Sequence, residues 1–383
     1  MAGIYDPQWT GVSLLNKLLP QWWPINSAIY DIEKSYLDNA EEGPFFSAEI
    51  PERPGVHETQ WRDFLGYKVA SPIGVPAGPL LNSRWIGAAA DLGFDILCYK
   101  TIRSAPHPGH PTPNMVFIDR RDQLDPANLP PSVVHRPTTP QTMEEIAVTN
   151  SFGMPSRDHD YLAEDIPKAY SLLHRGQALI ISVVGTPSAE GGFLADCVRV
   201  AKQAKDYGAK IIEVNFSCPN VTTGEGMIHT DAAVVYDIAS GIVNAIGDTP
   251  LIIKVGTFPS TSALEQCMVA AARAGVRAIC GINTISMKVV DSKNNPLLGP
   301  QRAVSGICGS PIHAAALDFT RNARTINDKL KLDLTIMTTG GAVLPQHFHD
   351  FLNAGADIAM TATGMMWDPY LAMRYHYGVA NDS

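Results

Sequence analysis

From residue 69 onward, apolar runs of strand length alternate with longer segments of helical period. The runs are VASPIGV (69–75), DILCYKT (95–101), ALIISVV (178–184), KIIEVNFS (210–217), PLIIKVG (250–256), AICGINTI (278–285), LTIMTTG (334–340) and DIAMTAT (357–363). Several are apolar on consecutive residues, as strands covered on both faces must be. Ala-rich amphipathic stretches, such as 195–207, 261–274 and 311–327, lie between most of them. Eight βα units predict a closed (β/α)8 TIM barrel. A doubly wound sheet competes, but the count of eight and the lack of a strong GxGxxG favour the barrel.

Two connections break the rhythm. Residues 102–157 are long, polar and proline-rich, and 286–310 form a polar Gly/Pro segment. Both follow strands, so both are expected as long loops on the C-terminal face, where barrel enzymes keep their sites. Residues 1–65 hold four of the six tryptophans and many prolines. They are read as an N-terminal extension packed on the barrel, with 66–383 as the barrel itself. The stretch GVSLLNKLLPQWWP is amphipathic, but its single lysine gives little attraction for anionic lipid.

Composition narrows the function. Of 383 residues, 45% are hydrophobic and 17% charged, with a formal net charge of −9. Without a basic run, nucleic acid is not an expected partner. Six cysteines without a CxxC pair read as reduced thiols of a cytoplasmic protein, with no zinc ribbon and no iron–sulfur cluster on this chain. The first residues lack the charged and apolar regions of a signal peptide. No stretch approaches the ~20 apolar residues of a membrane span. His107, His110, His347 and His349 read as surface positions, and no metal spacing emerges.

Candidate chemistry gathers at the strand ends. Lys100 and Thr101 end the second run, Asn215 the fourth, and Asn283 and Thr284 the sixth; Lys254 sits in the fifth. No acidic partner for either lysine is evident nearby in sequence, so an anionic ligand is the natural one. Gly340, Gly341 and the ATG at 362–364 suit a phosphate cradle. Asn150, Asn215, Asn220 and Asn283 supply donors and acceptors suited to a planar heterocycle. Cys218, between two of these asparagines, is either a buried structural thiol or an acid/base group within a polar cradle.

The motifs NFSCPN (215–220), IKVG (253–256), INTI (282–285), TGG (339–341) and TATG (361–364) resemble the class 1 dihydroorotate dehydrogenases, with NSFGMP (150–155) similar to their substrate loop. HPTPN (110–114) stands where that family has Asn-Pro-x-Pro-Arg, and Ala362-Thr363 where it has Gly-Thr. The resemblance implies FMN at the barrel mouth, held by Ala77, Gly78, Lys100, Thr101, Asn215, Lys254, Gly309, Gly340, Gly341, Ala362 and Thr363. It implies a pyrimidine substrate bound by Asn150, Gly153, Met154, Asn215, Asn220, Asn283 and Thr284, with Cys218 taking the C5 proton while the C6 hydride leaves. A homodimer is implied, with fumarate, a quinone, or NAD through a separate subunit as electron acceptor.

Two other enzyme readings stay open. An FMN enzyme of the dihydropyrimidine dehydrogenase type would act on a non-orotate ring, although that group places a histidine where Asn220 stands. Alternatively, Cys308 in SGICGS is similar to the nucleophile of IMP dehydrogenase, which leaves the NFSCPN box unexplained. A flavin-binding scaffold without turnover is the non-catalytic reading.

Overall fold

The structure, a computed structural model, describes residues 29–46, 49–217 and 227–378. Eight parallel strands close into a barrel. They are β1 (Ile73–Val75), β2 (Ile96–Ile102), β3 (Ala178–Val183), β4 (Ile212–Asn215), β5 (Leu251–Lys254), β6 (Ala278–Gly281), β7 (Thr335–Thr339) and β8 (Ile358–Met360). Neighbours in sequence are neighbours in the barrel, and β8 pairs with β1 to close it. Each strand falls within one of the eight apolar runs, except that β2 runs one residue past its own, to Ile102.

The surrounding helices form for local reasons. In Thr261–Arg273, Leu264, Cys267, Met268 and Ala271 are buried at the spacing of one helical face. Ser260 Oγ accepts from Ala263 N at 3.2 Å, a cap that contributes about 1 kcal/mol. A buried leucine such as Leu264 adds roughly 1.5–3 kcal/mol. In Ala232–Ile246 the cap is Asp231, and Gly247 ends the helix.

Side chains alternate across each strand, and this sorts the core into two clusters. Outward-facing residues such as Ile212, Val214 and Ile253 pack under the helices. Inward-facing Ile96, Cys98, Ile180, Ile252, Cys280, Met337 and Met360 fill the barrel. A hairpin, Arg62–Phe64 with Tyr67–Val69, adds Phe64 and Val69 to the inner cluster. The 65/66 boundary therefore falls in the turn of this hairpin.

The two long connections are not simple loops. They combine into a five-stranded sheet in the order Met115–Phe117, Ala147–Asn150, Val304–Gly309, Ile285–Val290, Val133–Val134. The central pairing sets Gly306 opposite Asn150 and Cys308 opposite Val148. Residues 29–46 also reach this region. Tyr30 packs edge-to-face on Phe152 at 5.8 Å between centroids, and Tyr36 does so at 6.5 Å. No helix among the described residues is long and apolar enough to cross a membrane.

Candidate active site

A cavity, with about 1200 Å³ of atom-free space counting the solvent at its mouth, opens between the C-terminal ends of the barrel strands and the overlying sheet. Ala77 and Gly78 line it after β1, Lys100 and Thr101 from β2, Asn215 from β4 and Lys254 from β5. Asn283 and Thr284 line it after β6, and Ala362 and Thr363 after β8. The overlying layer contributes Asn150, Gly153 and Met154. Gly309, Gly340 and Gly341 are outside this lining: Gly309 directly follows the lining residue Cys308, Gly340 directly follows Thr339, and Gly341 is one residue further on. Cys218 and Asn220 lie outside the described residues.

The polar groups are held in place. Lys254 is 2% exposed, and its Nζ donates to Ala77 O at 3.0 Å. Lys100 Nζ lies 5.2 Å from the Phe152 ring centre and 5.7 Å from that of Tyr36, within cation–π range. Asn215 Oδ1 accepts from both Ser217 N (3.0 Å) and Ser217 Oγ (2.7 Å), which fixes the amide. Asn150 Nδ2 donates to Cys308 Sγ at 3.2 Å. The HPTPN stretch braces the loop that follows: His110 Nδ1 meets Ser151 Oγ at 3.0 Å, and Asn114 O accepts from Ser151 N at 2.8 Å.

Two buried ionisable groups flank the site. Glu213, 1% exposed, faces the barrel interior below Asn215. Burial pushes its carboxyl up, while the Lys254 ammonium, the Ser182 hydroxyl and the Cys98 thiol pull it back. The expectation that Lys254 lacks an acidic neighbour is therefore corrected: the β-register supplies one that sequence distance hides. His229, fully buried, sets Nδ1 3.1 Å from Phe216 O and Nε2 2.9 Å from Thr257 O. Burial lowers its basicity more than the two carbonyls restore it.

Comparison with known proteins agrees with this geometry. The family profile for dihydroorotate dehydrogenase matches residues 133–379. The dihydroorotate dehydrogenase of Dictyostelium discoideum is 49% identical over 368 residues, covering 94% of this chain and 100% of that protein. The chain belongs to the dihydroorotate dehydrogenase family. The catalytic subunit of dihydroorotate dehydrogenase B (NAD(+)) from Maridesulfovibrio salexigens is 25% identical, over 82% of this chain and 89% of that one. A crystal structure of the Eimeria tenella dihydroorotate dehydrogenase with ferulenol shares the fold, at a TM-score of 0.62 and 16% identity, covering 82% of this chain and 81% of that one.

Membership of the dihydroorotate dehydrogenase family bears on the remaining cysteine. Cys308 does line the cavity. Burial pushes its thiol up, although hydrogen bonds from Asn150 and Thr363 oppose the shift. A thiol so placed is a hydrogen-bond partner for Asn150, not an activated nucleophile. His347 is not a surface position: its ring stacks on His313 at 4.0 Å and 25°. With Asp350 these two bring ligand atoms within 4.8 Å of one another. His347 Nδ1 accepts from Val343 N at 3.1 Å, and His313 Nε2 lies 3.5 Å from Asp350 Oδ2. His313 packs behind Gly341.

Tyr30, Phe152, Glu213 and His229 escaped the sequence reading. Glu213 had a signal, being a charge within the apolar run KIIEVNFS and two residues before Asn215. His229, isolated in a polar stretch, had none.

Proposed function

We propose that this chain is an FMN-dependent dihydroorotate dehydrogenase, an oxidoreductase acting on a CH–CH donor. The observation that carries the reading is the meeting of Lys254, Asn150, Asn215 and Asn283 at one cavity on the C-terminal mouth of the barrel. The residues fit a flat anionic cofactor. Gly78, at φ +153, leaves its part of the wall open, since a Cβ there would meet nothing within 4 Å. Lys254 offers a buried positive charge, and Thr101 and Thr363 offer hydroxyls. FMN, when bound, accepts the C6 hydride of dihydroorotate.

The chain's own groups do the rest. Lys254 stabilises negative charge that develops at the cavity floor. The amides of Asn150, Asn215, Asn220 and Asn283, with Thr284, orient the pyrimidine ring through its alternating carbonyls and N–H groups. Cys218 removes the C5 proton, and the electrons of that C–H bond form the C5=C6 double bond of orotate. The overlying sheet and Tyr30 shield the reacting atoms from water. The family reading further supports a cytoplasmic homodimer.

The test is anaerobic reduction of the purified protein by dihydroorotate, dihydrouracil and NAD(P)H in parallel. Bleaching of a yellow protein by dihydroorotate alone is expected. Cys218→Ala should retain FMN and lose that bleaching. A colourless protein that refuses FMN overturns the cofactor, and full-rate bleaching of the variant overturns the base.

A further inference from the structure

Barrel interiors are normally filled with branched apolar side chains. The middle of this barrel instead holds a carboxylic acid. Glu213 on β4 lies in register with Ser182 on β3 and Ile252 on β5, so Lys254 stands one inward-facing position higher on the adjacent strand. Cys98 Sγ approaches Glu213 Oε1 at 3.8 Å, and Cys280 lies close enough to feel its charge. The two thiols are weak donors, and the one hydrogen bond from the Ser182 hydroxyl cannot by itself replace water around an anion. The cation acting on Glu213 is Lys254. Lys254 Nζ in turn spends one of its three N–H bonds on Ala77 O. A single ammonium therefore separates the buried acid from the cavity floor.

We propose that Glu213 is the counter-ion of Lys254 and, acting through it, sets how readily a flavin on the cavity floor takes up electrons. This inference rests on the FMN reading given above. Glu213 touches neither cofactor nor substrate, so it is a positioning residue for charge. With Glu213 ionised, the floor is close to neutral. With its charge removed, the floor is cationic, and the negative charge gained on flavin reduction is better stabilised.

The test is the two-electron midpoint potential of the FMN-loaded protein. Glu213→Gln keeps the shape and removes the charge. It should raise the ratio of reduced to oxidised flavin at a given potential by about tenfold, which is a shift of about 30 mV upward. Lys254→Met should shift the potential downward. Glu213→Asp, which draws the carboxylate away from Lys254, should give a smaller rise and serves if the glutamine variant does not fold. A wild-type potential in a yellow Glu213→Gln or Glu213→Asp protein, alongside a lowered one in Lys254→Met, overturns the role of Glu213 alone. Unchanged potentials in all three place the flavin away from Lys254 and overturn the FMN placement instead. A structural role for Glu213 would lower stability without moving the potential.

Discussion

His229 pins the chain on both sides of the segment that carries Cys218 and Asn220. Its ring reaches back to Phe216 O, before that segment, and across to Thr257 O beyond β5. It also packs edge-to-face on Phe258 at 4.9 Å. Burial keeps the imidazole neutral, so one nitrogen donates at a time. His229→Ala strands a buried carbonyl, costing about 1–3 kcal/mol. Loss of the ring contact and the small cavity left behind add about 1 kcal/mol. The expected loss is thus roughly 2–4 kcal/mol, read from the urea midpoint at constant slope. If about 1.4 kcal/mol of it falls on holding Cys218 in position, the ratio of competent to non-competent protein drops about tenfold. Dihydroorotate kcat/KM should fall measurably, by up to that factor. His229→Gln, which restores one donor, should recover part of both. A destabilised His229→Ala protein with wild-type kcat/KM would refute the link between this ring and the proposed role of Cys218.

Two further outcomes follow from geometry. At Gly341, φ is +75 and an added Cβ would sit 2.5 Å from His313 N and 2.8 Å from its Cα, a clash with backbone that cannot rotate away. Gly341→Ala should weaken FMN binding at least tenfold, as measured by the recovery of free flavin fluorescence. For acid stability, burial lowers the pKa of His376 to about 3 and of His313 to about 4, from an ordinary 6.5. Both are neutral when folded, whereas the unfolded chain binds their protons below pH 6.5, so this stability is present above 6.5 and lost as pH falls toward 4 and then 3. Urea midpoints at pH 7.5, 5.5 and 4.5 should fall steadily, and His376→Gln should flatten the trend.

The barrel was legible because each strand is a short apolar run, and burial on both faces leaves that mark in one dimension. Helix Thr261–Arg273 was legible through its spacing of Leu264, Cys267, Met268 and Ala271. The overlying sheet was missed because its strands are two to six residues long and embedded in proline-rich chain. Pairing of Val304–Gly309 with Ala147–Asn150 is a tertiary event that neither segment announces alone. Lys100, Asn215, Lys254 and Asn283 were legible as polar residues within or ending apolar runs, and Asn150 through the resemblance of NSFGMP to a substrate loop. The Glu213–Lys254 relation was not, because it depends on which strands become neighbours.

The pairing of Asn150 with Gly306 also bears on synthesis. The barrel grows by adding each strand to the one before, so its early contacts are local and can form as the chain leaves the ribosome. The roof of the cavity cannot. Its Ala147–Asn150 strand waits for a partner more than 150 residues downstream. Until residue 309 has emerged, the nascent chain carries an unpaired strand edge beside Phe152 and Tyr30. That interval adds a second open strand edge to those of the unclosed barrel, whose last strand, Ile358–Met360, emerges later still.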